Sequence, residues 1–86
     1  MPTISTFLGV VIQMYWREHG PPHFHAIYGE HEAVIDIRHM RVTRGALPRR
    51  ALALVLEWAV AHRNELLENW DLCDRLKPPR PIAPLE

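Results

Sequence analysis

Residues 8–17 alternate along an extended chain. Val10, Ile12, Met14 and Trp16 fall on one face, and Val11, Gln13, Tyr15 and Arg17 on the other. Glu18-His19-Gly20-Pro21-Pro22 then interrupts the pattern as a turn, because glycine and proline punctuate regular structure. Two more extended runs follow, at residues 23–28 and 31–37, with Gly29-Glu30 between them. Glycine at the first central position suits a two-residue type II′ hairpin. That turn fixes a register. Tyr28 faces His31, Ala26 faces Ala33 and Phe24 faces Ile35 on one side. Ile27 meets Glu32, His25 meets Val34 and His23 meets Asp36 on the other. One side is apolar and the other mostly polar, and a one-residue slip would mix them. A short turn near Arg38-His39 leads to a fourth strand at residues 40–44, which stands Arg41 across from Asp36.

Gly45-Ala46-Leu47-Pro48 opens a helix, since proline in the first helical turn sacrifices no hydrogen bond. The pattern predicts one helix to about residue 72. Leu52, Val55, Leu56, Ala59, Leu66 and Trp70 form its buried stripe, widened by Trp58 and Leu67. Four prolines in residues 77–86 exclude helix and inner strand, so this tail is expected to be extended or disordered. The expected fold is a two-layer α+β domain over residues 1–75, followed by a proline-rich tail over residues 76–86. It has a four-stranded antiparallel meander and one long C-terminal helix on its apolar face. Nothing in the chain is then left to cover the second face.

Eighty-six residues suffice for one domain. Ten basic and ten acidic residues cancel, so the strongly basic footprint of a dedicated nucleic-acid binder is missing. The distribution is uneven. Residues 17–50 hold six arginines, four acids and five of the six histidines, which places any anion-binding surface in the first half. The single cysteine, Cys73, excludes an intrachain disulfide and every metal site that needs two cysteines of one chain. No stretch is long and apolar enough for a membrane span, and the opening residues lack a signal-peptide pattern. A soluble, cytoplasmic protein is expected.

The chemistry concentrates at Pro21-Pro22-His23-Phe24-His25. Residues two apart on a strand point the same way, so His23 and His25 stand side by side. With Asp36 opposite, they could act as acid and base, the carboxylate orienting an imidazole and arginine holding a phosphate. That set could cleave RNA without a metal. The same imidazoles could instead share a Zn or Ni ion, with His19, Asp36 or Glu32 as third ligand. The plain alternative is a solvated sheet face.

Arg41 and Arg38 lie beside the pair in the expected register. Arg49 and Arg50 occupy the first helical turn, where cations oppose the helix dipole but bare N–H groups could help bind a phosphate. The alternative is that both are simply solvated or paired. Tyr15 could stack a base, or belong with Val11, Ile27 and Val34 to a seam with a partner or a second copy of the chain. Cys73 is expected to be inert.

The order of these motifs resembles a known bacterial family. Met-Pro-Thr-Ile-Ser, Gly-Val-Val-Ile-Gln-Met-Tyr, Pro-Pro-His-Phe-His-Ala-Ile-Tyr-Gly-Glu, Ala-Val-Ile-Asp-Ile, Leu-Pro-Arg-Arg-Ala-Leu and Glu-Leu-Leu-Glu-Asn-Trp are similar to domain-of-unknown-function family 4160 over about residues 1–72. Its motif residues here are Pro21, Pro22, His23, Phe24, His25, Asp36, Pro48, Arg49 and Arg50. The resemblance implies a neighbouring small protein as partner and a toxin–antitoxin context, but no settled activity. The expectation is therefore a toxin–antitoxin component. If it is the toxin, it would be a metal-independent ribonuclease with His23, His25 and Asp36 as catalytic residues. Arg41, Arg49, Arg50, Arg38 and Tyr15 would bind substrate, and the ribosome could help present the RNA. The alternative is a partner-binding or metal-binding module without catalysis.

Overall fold

The computed structural model describes residues 2–86. Five strands form one antiparallel meander in the order β1-β2-β3-β4-β5: β1 Thr3–Phe7, β2 Val10–Gln13, β3 His23–Tyr28, β4 His31–Asp36 and β5 Arg41–Gly45. Helices α1, Arg49–Ala61, and α2, Arg63–Asp74, complete the fold. The α+β class and the antiparallel sheet are as expected. The β3–β4 register matches residue for residue, from Tyr28 opposite His31 to His23 opposite Asp36. Gly29 carries the positive φ, 59°, that its turn position requires.

Four expectations are corrected. The sheet has five strands, because β1 pairs with β2 through a turn at Leu8-Gly9. Both turn residues have positive φ, 49° and 84°, as a type I′ hairpin demands. The strand expected to begin at residue 8 therefore begins at Val10.

The expected long helix is two helices, parted at His62. An unbroken helix over residues 49–74 would be about 39 Å long at 1.5 Å per residue. The whole molecule extends only 33 Å along its longest axis. At the break, the His62 ring meets Glu65 three residues on, and the Leu66 N–H donates to the His62 carbonyl at 2.9 Å.

The tail is irregular but packed. Ile82 is buried and donates its N–H to Ile4 O on the outer edge of β1 at 2.8 Å. The Asn69 amide clamps Arg80 twice, accepting from its N–H at 2.8 Å and donating to its carbonyl at 2.9 Å.

The core lies between the sheet and the helices. Val10, Ile12, Phe24, Ala26 and Ile35 face Val55, Trp58, Ala59 and Leu66, and the Trp58 ring meets Phe7 and Phe24 at centroid distances of 5.2 and 6.0 Å. Burial of these large apolar side chains, each worth about 1.5–3 kcal/mol, holds the layers together. Leu52, Leu56, Leu67 and Trp70 border the core as half-buried side chains. Trp16, expected inward, is exposed and instead donates its indole N–H to the Lys77 carbonyl.

Candidate functional site

β3 is the middle strand of five, and its second face carries His23 and His25. This face is not bare. Residues 14–22 turn back over it through Gly20-Pro21-Pro22 and bring Glu18 onto both imidazoles. Glu18 Oε1 lies 3.1 Å from His23 Nε2 and 2.9 Å from His25 Nε2. The other ring nitrogens are also engaged. His23 Nδ1 is 2.9 Å from the Pro21 carbonyl oxygen, and His25 Nδ1 is 3.1 Å from Glu32 Oε2. Tyr15 covers His25 with ring centroids 4.2 Å apart, and Trp70 approaches His23 at 4.9 Å. His25 is 7% exposed. Burial, and after it the charges of Glu32 and Glu18, push the Tyr15 hydroxyl above its usual 10.0.

Asp36 stands across from His23 as the register requires, but its carboxylate serves its own turn. The His39 backbone N–H donates to Asp36 Oδ1 at 2.9 Å, and the Met40 N–H donates to the Asp36 carbonyl at 2.8 Å. The His39 bond is the main reason its acid is held below the usual 3.8, against the opposing effect of burial. Glu18 therefore takes the position beside the imidazoles that was expected of Asp36. Of the third ligands weighed for a metal, Glu32 reaches the back of His25. His19 lines the adjoining concavity without joining the cluster.

That open concavity, about 450 Å³, is lined by Glu18, His19, Pro21, His23, His25, Val34, Asp36, Thr43 and Arg44. Arg44 enters through a bulge. Val34 pairs with Arg44 but Ile35 pairs with Val42, so Thr43 is an extra residue in β5. Plain alternation would have put Arg44 on the core side with Val42. The bulge puts it in one cross-strand row with Gln13, His25 and Val34. Neither Arg44 nor Arg41 pairs with a carboxylate among the described residues.

Arg41 is exposed opposite Asp36, and Arg38 is exposed in the β4–β5 turn. Arg49 and Arg50 do start α1, but at the far end of the sheet. There Arg50 lines a groove with Leu8, Tyr28 and Leu54. Tyr28 is five residues along β3 from His23, about 16 Å at 3.3 Å per residue. Tyr15 thus joins the histidine pair, whereas Arg41, Arg38, Arg49 and Arg50 do not line its concavity. Glu18 and Arg44 are the residues that sequence reasoning missed. The Pro-Pro turn was the one available hint for Glu18, since it must send the preceding residues in a new direction. Cys73 is fully buried, and burial raises its thiol above the usual 9.0, in keeping with an inert side chain. No helix among the described residues is long and apolar enough to cross a membrane.

No curated protein and no solved structure matches the chain. A family model described as a domain of unknown function, DUF4160, matches residues 9–71. This span includes the whole imidazole cluster, Arg44 and the break between the helices, and the chain belongs to that family.

Proposed function

We propose that the chain is a small cytoplasmic component of a bacterial toxin–antitoxin pair, and that its sheet-face concavity cleaves the phosphodiester backbone of RNA. The observation that supports this reading is the convergence of two imidazoles on one carboxylate, in a concavity that also holds an unpaired arginine. Cleavage needs a group that accepts the 2′-hydroxyl proton and a group that returns a proton to the departing 5′ oxygen. The 2′ oxygen forms a bond to phosphorus, the bond to the 5′ oxygen breaks, and a 2′,3′-cyclic phosphate results. The cluster of His23, His25 and Glu18 gains one proton and gives one back. Arg44 holds the charge on phosphorus, the part expected from the sequence of Arg41, Arg38, Arg49 and Arg50.

The toxin–antitoxin context is supported by the motif order, and the implied partner is the small protein encoded beside this one. Expression in a bacterial host tests the reading. Wild-type chain should arrest growth, the partner should relieve the arrest, and the purified protein should leave cyclic phosphate ends on RNA. A folded His23→Ala/His25→Ala double variant that still arrests growth would refute the catalytic role.

A second reading, a partner-binding module without catalysis, draws support from half-buried Val11, Tyr15 and Ile27 on the same face. Under that reading the double variant keeps its partner and no RNA product forms.

A further inference from the structure

We propose that His23, His25 and Glu18 form a binding site for one divalent transition-metal ion, Zn²⁺ in the first place. The inference rests on the hydrogen-bond inventory of the cluster and is independent of RNA as substrate.

Each imidazole has two nitrogens, and one of each pair is committed. The Pro21 carbonyl can only accept, so His23 Nδ1 must carry its proton toward that oxygen. An ionised Glu32 can only accept, so His25 Nδ1 must carry a proton as well. In a neutral imidazole the other nitrogen is then a bare lone pair. Both Nε2 atoms face the same Glu18 oxygen, at 3.1 and 2.9 Å. Ionised Glu18 is itself an acceptor. Three ligand atoms therefore converge, as they do around a single cation.

The two ring centroids are 5.6 Å apart and His25 is buried. One divalent ion satisfies all three acceptors without a charged ring. The spacing suits it. Tetrahedral donors about 2.1 Å from an ion are about 3.4 Å apart, Glu18 Oε1 lies 3.1 and 2.9 Å from the two Nε2 atoms, and all three ligand atoms lie within 4.8 Å of one another.

The surroundings are those of a metal site too. Ligating histidines characteristically donate their second N–H to a carbonyl or carboxylate, which fixes the ring and raises its basicity. Pro21 O and Glu32 Oε2 supply those two acceptors. Two histidines and one carboxylate fill one side of a coordination sphere, and the other side opens on the concavity that Arg44 and Thr43 line.

Calorimetric titration and metal analysis test the proposal on the full chain stripped with a chelator, using Zn²⁺ and Ni²⁺ alone and Mg²⁺ as the hard-cation control. The expected result is one Zn²⁺ per chain, with Ni²⁺ competing and Mg²⁺ ignored. Glu18→Gln should weaken Zn²⁺ at least 10-fold, and His25→Ala should abolish the site. Glu32→Gln keeps all three ligands and loses only the back-side acceptor, so it should weaken binding about 10-fold. His39→Ala, outside the cluster, should bind as wild type. Thermal melts identify any variant that fails to fold, and His25→Gln replaces His25→Ala in that event. Absence of stoichiometric Zn²⁺ on the wild type overturns the proposal, as does undiminished binding in Glu18→Gln and the His25 variant. Stripped protein that cleaves RNA yet takes up no Zn²⁺ would overturn the metal site alone. Stoichiometric Zn²⁺ with no cleavage in any state would uphold the site and overturn the ribonuclease reading.

Discussion

The indole N–H of Trp58 donates to the carbonyl oxygen of Ala83 at 2.8 Å, so the largest fully buried side chain of the core ends on the proline-rich tail. Removing residues 78–86 would strip an acceptor from Trp58, both partners from the Asn69 amide, and the buried Ile82 from the edge of β1. Hydrogen bonds of about 1 kcal/mol each and about 2 kcal/mol for Ile82 add up to a loss of roughly 4–5 kcal/mol. Small domains hold only about 5–15 kcal/mol in total. Urea denaturation of the truncated chain should show a large fall in midpoint, and an unchanged midpoint would contradict the packing described.

Gly45 ends β5 with φ of 74°, and a Cβ there would lie 2.2 Å from the Glu32 carbonyl oxygen. Both the left-handed backbone and the close approach oppose any side chain. Gly45→Ala should cost at least about 1–3 kcal/mol. Gly29→Ala should cost less, because its φ is also positive but nothing lies within 4 Å of the added carbon. Comparative melts of the two variants check the order.

Asp36 gives the fold an acid-sensitive part. Its folded pKa lies below the ordinary value of 3.8, chiefly because the His39 N–H bonds its charged form. The stabilisation is therefore fully present above the unfolded value and is lost as pH falls through the lower folded value. Asp36→Asn should lower stability by about 1–2 kcal/mol at pH 7. It should also flatten the decline of stability on the acid side of pH 4. Equal acid slopes for wild type and variant would rule this out.

Arg44 and the helix arginines separate two views of substrate binding. Arg44→Ala should reduce RNA cleavage about 100- to 1,000-fold, on the scale of one lost charge-stabilising donor. Arg49→Ala and Arg50→Ala, at the start of α1 and outside the concavity, should leave it unchanged. The reverse pattern in initial rates would move the phosphate site to the start of α1.

The parts of this fold that could be read in the sequence are those fixed by short-range geometry. Gly29-Glu30 leaves one in-phase pairing for β3 and β4, so His23, His25 and Asp36 could be placed without coordinates. β1 escaped because Thr3, Ser5 and Thr6 dilute its alternation, and its pairing with β2 is itself irregular between Thr3 and Ser5. The break at His62 has no glycine or proline to mark it and follows from the size of the sheet that the helices must cover. Glu18 and Arg44 depend on how a loop folds back and on one extra residue in an edge strand, and neither leaves a periodic trace.

The placement of β3 sets how the cluster can work in time. His23 and His25 ride on a strand bonded along both flanks, whereas Glu18 rides on the irregular stretch between β2 and β3. Segments without ladder bonds open at lower free energy than central strands. If the proposed ion binds, its exchange is expected to follow opening of the Glu18 segment rather than movement of the two rings. Hydrogen exchange should find residues 15–20 opening far more often than residues 24–27, and the off-rate at the cluster should follow the former.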